Sequence, residues 1–376
     1  MPDKSSKILV LTAGFGEGHN TAARNIQKGL QYYGGEGVQA EMLDVFATSY
    51  GAFNEFSRKL YIEAINKVPK VWQRVYHLLD HTRFFEWTLP TMGRMESDLK
   101  KLMELKKPDV VCTTYPVYAF LFNRIYPNPA HRPFHLINIV TDSISVNSLW
   151  YRTPSDQWLV PNTQTEEVMQ KAGTPHERLH VFGFPVALAF HLPEKRCHPP
   201  DLTKETAKIL YIINSGKLKA AATVRALLEN SAASLTVSVG RDQSLRRMVE
   251  EAAQEFPDRV EILGWTDQMP QMMMSHNLVI TKAGGATVQE ALAACCPLII
   301  NQVIPGQEEG NWELVRRIEG GALASDPADV ANWVKKALAD HGALAQTWRK
   351  NLQTVCRADS SKQIAEHILG LGAKSH

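Results

Sequence analysis

The chain has 376 residues, 44% of them hydrophobic and 21% charged, and a formal net charge of +2. This length suits two domains of ordinary size, each able to bury its own core. The net charge decides nothing about nucleic acid. No long basic block is available to follow a phosphate backbone, so we expect no nucleic-acid partner.

Nothing in the sequence predicts export or a membrane span. Residues 1–7 are mostly polar and too few for a signal or transit peptide, and no apolar run approaches about 18 residues. The five cysteines have neither metal nor redox spacing, and most lie in apolar runs. That usage indicates reduced thiols in a cytosol, so we expect a cytoplasmic protein.

A glycine-rich turn, Ala13–Gly18, follows the first predicted strand, Lys7–Thr12, and precedes a helix predicted from about Asn20 to Tyr33. The glycine spacing fits neither the dinucleotide fingerprint nor a Walker loop. His19 lies at the helix start, where the dipole disfavours imidazolium. The residues alone leave two interpretations open: a neutral general base, or a histidine that caps or packs the helix.

The segment from Phe53 to about Trp87 is predicted to be helical, with aromatic residues such as Trp72 on one face and basic residues on the other. This pattern suits the surface of an anionic membrane, and it also suits two amphipathic helices packed on their own domain. Its last part contains Phe84, Phe85 and Trp87 with little periodicity, which predicts a loop or lid.

Apolar runs predict further buried strands in both halves of the chain. Thr141 and Asp142 end one of them, and the Pro-rich run Leu192–Pro200 is the predicted interdomain linker. Beyond Asp326 the pattern is helical. The segments Trp158–Pro161 and Val181–Pro185 close the first half. The predicted strands are Val38–Leu43, Val110–Cys112, Leu136–Val140, Lys208–Ile213, Leu235–Val239, Val260–Leu263, Asn277–Thr281 and Leu298–Ile300.

Two turns in the second half suit a phosphate. Asn214–Gly216 follows a predicted strand, and its glycine and serine allow close backbone approach. Gly284 and Gly285 precede a helix predicted to begin at about Thr287, whose free N–H groups and dipole suit a diphosphate. Thr287 and Glu290 also have the spacing of a capping box, in which Glu290 only satisfies its own helix start. In outline this is a nucleotide site.

Several of these stretches resemble one family. Gly264–Pro270, Thr281–Gly285, Glu290 and Pro305–Asn311 are similar to the donor half of monogalactosyldiacylglycerol synthases, and the same pattern occurs in bacterial diacylglycerol glucosyltransferases. Thr12–Arg24 is similar to the first loop of the same enzymes. The resemblance spans nearly the whole chain. It implies an α/β chain with the GT-B fold of family-28 glycosyltransferases, in which two Rossmann-like doubly wound domains face each other across a cleft.

The resemblance also implies a domain layout. We expect residues 1–190 to form an acceptor- and membrane-facing domain and residues 201–356 to form the nucleotide-sugar domain. Residues 357–376 are expected to form a helix that packs back on the first domain. Such a protein is expected to associate peripherally with the inner face of an anionic membrane.

The reaction that the resemblance implies is inverting transfer of a hexose, galactose or glucose, from a UDP-sugar to the hydroxyl of diacylglycerol or a similar membrane lipid. His19 is the implied base and Asp142 the second candidate. Glu290 would accept from the ribose, and Gln307 and Glu308 from the sugar. The UDP-sugar is a co-substrate, and neither a cofactor nor a metal is expected, because the glycine turn and helix start meet the charge of UDP.

The implied site falls into two groups. The donor-binding residues are Gly16, Gly18, Ser215, Gly216, Arg241, Thr266, Met269, Lys282, Gly284, Gly285, Ala286, Thr287, Glu290, Gln307, Glu308 and Asn311. The acceptor or membrane residues are Trp72, Phe84, Phe85, Trp87, Asn147 and Trp150. Asn147 stands where the family has a histidine, and the spacing from the Thr141-Asp142 pair to Trp150 is one residue longer, which bears on the identity of the acceptor. The Asn214–Gly216 turn also departs, because relatives have more glycine there.

Two other functions fit the sequence. One is a glycosyltransferase with a different acceptor, such as a polyprenyl-linked sugar or a soluble metabolite. The other is a non-catalytic protein that keeps a UDP-sugar pocket. A nicotinamide enzyme fits poorly, because neither glycine loop has the required spacing.

Overall fold

The computed structural model describes residues 6–14, 16–51, 82–152, 154–214, 216–306 and 308–372. Most of the predicted membrane segment, including Trp72, therefore lies outside the described residues, as do Ser215 and Gln307. The chain divides into two compact units. The first comprises Met1–Leu188, Pro305–Gly310 and Asp359–His376, and the second comprises Ala189–Ile304 and Asn311–Ala358.

The first unit is built on a parallel sheet of six strands in the order β2-β1-β3-β4-β5-β6. Helices cover both faces, which is why central strands such as β1 and β3 are largely apolar and do not alternate with polar residues. In β1, Ile8 and Val10 face one core and Leu9 and Leu11 the other. The strands are β1 Ser6–Thr12, β2 Val38–Asp44, β3 Val110–Thr113, β4 His135–Ile139, β5 Gln157–Val160 and β6 Leu179–Val181.

The helices of the first unit include one segment that the sequence analysis predicted wrongly. Residues 84–88 form a short helix, whereas a loop or lid was expected. The reason is that Phe85 packs on the first core and meets Phe120 edge to face, with ring centroids 5.2 Å apart. The helices are α1 Glu17–Gly34, α2 Phe84–Thr88, α3 Gly93–Lys106, α4 Val117–Ile125 and α5 Thr163–Lys171.

The second unit contains another parallel sheet of six strands, in the order β12-β11-β10-β7-β8-β9. Its strands are β7 Lys208–Ile212, β8 Ser234–Gly240, β9 Val260–Gly264, β10 Leu278–Lys282, β11 Leu298–Gln302 and β12 Gly321–Leu323. The helices that follow them are α6 Lys217–Asn230, α7 Gln243–Ala253, α8 Met269–Ser275, α9 Gly285–Ala293, α10 Glu309–Ile318 and α11 Pro327–Gln353, with non-helical backbone at residues 339–342 of α11. Both units are therefore Rossmann-like and doubly wound.

The last helix, α12 (Ser360–Gly372), belongs to the first unit and packs against α1. Gly29 permits the close approach, because a Cβ there would lie 2.9 Å from the carbonyl oxygen of Ser361. At the start of α12 the Ser360 hydroxyl donates to the buried carbonyl of Phe184 at 2.5 Å. Across the described ranges, no helix is both long enough and apolar enough to span a bilayer.

Candidate active site

His19 lies at the point where the first sheet changes its winding direction. From β1 the chain proceeds to β2 on one side, whereas β3 and the later strands lie on the other. Ligands of open α/β sheets bind outside the carboxyl ends of strands at such a point. The helix α1 begins at Glu17 and not at about Asn20 as predicted, and its cap is Gly16, which offers no side-chain hydrogen bond. His19 is therefore in the first turn, beside the end of β3.

The His19 ring is fixed through one nitrogen. Its Nδ1 lies 2.6 Å from the carbonyl oxygen of Thr114 and 3.1 Å from the Thr141 hydroxyl oxygen. The ring of Tyr115 packs edge to face at a centroid distance of 5.2 Å. Burial lowers the pKa of His19 from its ordinary value to about 4, and the Thr114 carbonyl opposes this in part. His19 is therefore a neutral imidazole near pH 7.

Asn147 and Trp150, which were predicted to contact the acceptor, form hydrogen bonds within the first unit. Asn147 is buried, and its side-chain oxygen accepts from the backbone N–H of Leu149 and caps the turn. Trp150 is only 1% exposed, and its indole N–H donates to the Asp142 carboxylate at 2.9 Å. The backbone N–H of Asn147 approaches the same carboxylate oxygen at 3.3 Å. These two residues orient Asp142, the second candidate base.

The aromatic residues of α2 separate into inward and outward positions. Phe85 is partly buried and packs against the first core, and its role as a membrane or acceptor residue stays a prediction. Trp87, two residues further on, is 78% exposed. Only the backbone of Phe84 is described. Of the predicted membrane aromatics in the part of the chain that the structure describes, Trp87 is the candidate for a contact with lipid.

The two predicted phosphate turns meet at the corresponding point of the second sheet. The strands β7 and β10 are neighbours, and the chain leaves them in opposite directions across the sheet. Gly216 follows β7 with φ +70°, a conformation that favours glycine. The Asn214 amide lies 3.5 Å from the Thr287 hydroxyl, which links the two turns. The turns at Gly216 and Gly284, in which glycine leaves the backbone accessible, thus lie side by side.

The helix behind the second turn begins earlier than predicted. Its cap is Gly284 and its first residue Gly285, whereas a start at about Thr287 was expected. The capping-box alternative is therefore wrong, because Thr287 lies inside the first turn and cannot be the cap. No side chain caps this start, so its N–H groups remain available as anion donors. Glu290 lies in the second turn and is partly buried.

Other predicted donor residues follow the carboxyl ends of β8 and β9. The guanidinium of Arg241 lies over the ring of Trp265 at 5.2 Å, and Trp265 is 65% exposed. The Thr266 hydroxyl accepts from the backbone N–H of Gln268 at 3.1 Å, and Met269 is the first residue of α8.

The remaining donor predictions are distributed between the units. Lys282 ends β10, and Ala286 is the second residue of α9. Asn311 is buried, and its amide donates to the Ala283 carbonyl at 3.0 Å, so it braces the Gly284 turn from behind. Glu308 is buried in a segment that belongs to the first unit, and Gly16 and Gly18 also lie there, at the start of α1.

Sequence reasoning missed Thr114, Tyr115 and Thr141 as contacts of His19, and Gln302 as a contact of the first phosphate turn. The Gln302 oxygen lies 3.2 Å from the position of a Cβ at Gly216. All four residues follow or end strands, which was the available signal. No group of three or more His, Cys, Asp or Glu side chains that could hold a metal occurs among the described residues.

Two family models match the chain. The model of monogalactosyldiacylglycerol (MGDG) synthase matches residues 19–186, and the carboxy-terminal domain model of glycosyltransferase family 28 matches residues 217–312. Among curated proteins, a processive diacylglycerol beta-glucosyltransferase from Bacillus pumilus is 25% identical over 373 residues, which cover 97% of this chain and 95% of that protein.

Solved structures agree on the fold. MnaA of S. aureus, in a co-structure with UDP, superposes with a TM-score of 0.63 at 12% identity and covers 97% of each chain. MurG of Acinetobacter baumannii has the same TM-score at 15% identity and covers 97% of this chain and 99% of its own. The fold is therefore GT-B, as predicted.

Proposed function

Because the chain belongs to the family of monogalactosyldiacylglycerol synthases and diacylglycerol glucosyltransferases, we propose that it transfers a hexose from a UDP-sugar to the hydroxyl of diacylglycerol or a similar membrane lipid. The enzyme class follows from the family, and the sugar and the acceptor are the proposed part. The observation that carries the chemistry is His19, a neutral imidazole fixed through Nδ1 beside the end of β3.

In the proposed reaction His19 acts as the general base. As the acceptor oxygen forms its bond to the anomeric carbon, the hydroxyl proton passes to Nε2 of His19. The bond from the anomeric carbon to the diphosphate oxygen breaks on the opposite face, and its electron pair leaves with UDP. Attack from the opposite face inverts the anomeric configuration.

The second unit would hold the donor. The glycine turns at Gly216 and Gly284 bring backbone close to a diphosphate, and the uncapped start of α9 supplies N–H groups and a positive dipole end. These groups meet the charge that develops on departing UDP, so the proposal invokes no metal. Glu290, one turn along the same helix, would accept from the ribose hydroxyls. Gln307 and Glu308, which belong to the Pro305–Gly310 segment of the first unit, would accept from the sugar hydroxyls.

The lipid acceptor requires the protein to reach a membrane. Trp87 supports a peripheral contact, because it is 78% exposed while the neighbouring Phe85 anchors its helix in the core. Arg83 and Arg94 flank it in sequence and are exposed, which suits anionic lipids on the cytoplasmic face. Trp87→Ser should weaken flotation with anionic vesicles, since a buried aromatic contributes about 2 kcal/mol. Trp265→Ser, which removes another exposed tryptophan, is the control; equal losses would remove the assignment to Trp87.

Replacement of His19 tests the chemistry. A positioned base gives about 10²–10⁴-fold in rate, so His19→Ala should lose roughly that factor in turnover with UDP affinity retained. His19→Asn should be nearly as inactive, since an amide cannot take the proton. Asp142→Asn is the comparison. If it abolishes turnover while His19→Ala does not, the base is Asp142 and the assignment is wrong.

A further inference from the structure

Two threonines, neither of them predicted to contact His19, hold the proposed base. The carbonyl oxygen of Thr114, directly after β3, lies 2.6 Å from His19 Nδ1, and the hydroxyl oxygen of Thr141, just beyond β4, lies 3.1 Å from the same atom. Thr141 is buried, with 7% of its surface exposed, and Thr114 is fully buried. The hydroxyl of Thr114 also donates to the backbone carbonyl of His19 at 3.1 Å.

These contacts determine where the imidazole proton lies. A carbonyl oxygen only accepts, so the atom 2.6 Å from it must carry the hydrogen, and His19 is protonated at Nδ1. The Thr141 oxygen then accepts from the same N–H in a three-centre bond. Nε2 keeps a lone pair, and it has no hydrogen-bonding partner within the described ranges of the chain.

The carboxylate next to Thr141 in the sequence has other hydrogen-bond donors. Asp142 follows Thr141 directly, yet its oxygen accepts from the Trp150 indole at 2.9 Å and from the backbone N–H of Asn147 at 3.3 Å. The Thr114 carbonyl and the Thr141 hydroxyl, which contact Nδ1, are both neutral. A histidine oriented by neutral acceptors keeps its unprotonated form more easily than one beside a carboxylate, which would favour imidazolium.

We propose that Thr141 is a positioning residue for the reaction proposed above: its hydroxyl oxygen, together with the Thr114 carbonyl, holds His19 in the tautomer with hydrogen on Nδ1 and the basic lone pair on Nε2. The assignment rests on the proposed function, because a tautomer matters to turnover only if His19 takes a proton. Thr141 acts through His19 and does not touch the reacting atoms.

The test compares three variants of the full-length protein. Thr141→Val removes only the hydroxyl and should lower kcat about three- to tenfold, the effect of one hydrogen bond, with the KM for the UDP-sugar unchanged. Thr141→Ser keeps the hydroxyl and should restore kcat. Thr113→Val is the matched control, because Thr113 is an equally buried threonine whose hydroxyl donates to the Tyr115 carbonyl and not to His19.

A second measurement does not depend on activity. Nitrogen-15 NMR of histidine-labelled protein, assigned with His19→Ala, should give the shift of a protonated Nδ1 and a bare Nε2 in the parent and in Thr141→Ser. In Thr141→Val the other tautomer should gain population about fivefold.

The outcomes separate the two claims. Unchanged kcat and unchanged nitrogen shifts in Thr141→Val would overturn the positioning role, as would an equal loss in Thr113→Val or a failure of serine to restore kcat. If the parent transfers no sugar, the proposed function fails, and the nitrogen shifts alone decide whether Thr141 holds the tautomer.

Discussion

The transfer rate at acidic pH distinguishes a buried base with a lowered pKa from a histidine with an ordinary pKa. Burial lowers the pKa of His19 to about 4, against an ordinary value of 6.5. With the lowered pKa, roughly 90% of His19 remains neutral at about pH 5.0, whereas an ordinary histidine would be roughly 3% neutral there. The population of reactive base thus differs about thirtyfold between the two cases. We expect the transfer rate to change less than about twofold between about pH 7.5 and about pH 5.0.

The assay is the initial rate of lipid glycosylation at saturating UDP-sugar, with kcat/KM taken for the lipid because that ratio reports the ionisation of the enzyme before the acceptor binds. Tryptophan fluorescence at each pH checks that the protein stays folded. A loss of about tenfold or more at about pH 5.0, with native fluorescence, would contradict a base whose pKa is depressed by burial.

Three further predictions follow from other parts of the chain. His276 is buried, and burial is the chief reason why its pKa is lowered to about 4. The unfolded state therefore binds the extra proton, and the free energy of unfolding should fall by up to about 3 kcal/mol as the pH drops from about 6.5 to about 4. Urea titrations should show a weaker dependence of the unfolding free energy on pH in His276→Gln, and an equal dependence would refute the prediction. Gly321→Ala should lower stability by about 1–3 kcal/mol, because its Cβ would lie 2.0 Å from the Leu298 carbonyl oxygen. The control is Gly37→Ala, whose Cβ would meet nothing within 4 Å. Equal melting temperatures of the two variants would count against the register of β12. Glu290→Gln should weaken UDP binding by about 1–3 kcal/mol in calorimetry without melting the protein; a melted protein with unchanged affinity would return Glu290 to a structural role.

The strands could be predicted because helices cover both faces of each sheet. Strands such as β1, β3 and β10 then appear as largely apolar runs. The segment Val181–Pro185 shows where apolar character does not locate a strand, because β6 ends at Val181. Phe182 and Phe184 continue the apolar character, while Gly183 turns the chain at φ +96° between them.

The first residues of α1 and α9 were predicted too far along the chain, and the reason is the same for both helices. Both helices are capped by glycine, Gly16 and Gly284, with no side-chain hydrogen bond. The usual signal of a helix start is a Ser, Thr, Asp or Asn cap, and it is absent from both. A glycine cap leaves the first N–H groups of the helix without a side-chain acceptor, which suits a phosphate. The same glycine cap is the reason why the first residue of each helix was placed wrongly.

The surroundings of His19 could not be predicted from the sequence. His19 was identified through the resemblance of its loop, but its contacts Thr114 and Thr141 lie 95 and 122 residues away in the chain. Only the strand order, which sets β1 beside β3 and β3 beside β4, brings the ends of these strands together. Local periodicity carries no information on that order.

The most direct test of the account is transfer itself. Purified protein is incubated with anionic vesicles containing diacylglycerol and with UDP-glucose or UDP-galactose, and the lipids are then separated and the new linkage examined by NMR. The account predicts a hexosyl-diacylglycerol with inverted anomeric configuration, formed with one UDP released for each sugar transferred, and loss of this product in His19→Ala. Binding of UDP with no sugar transferred to diacylglycerol or any other membrane lipid would contradict it.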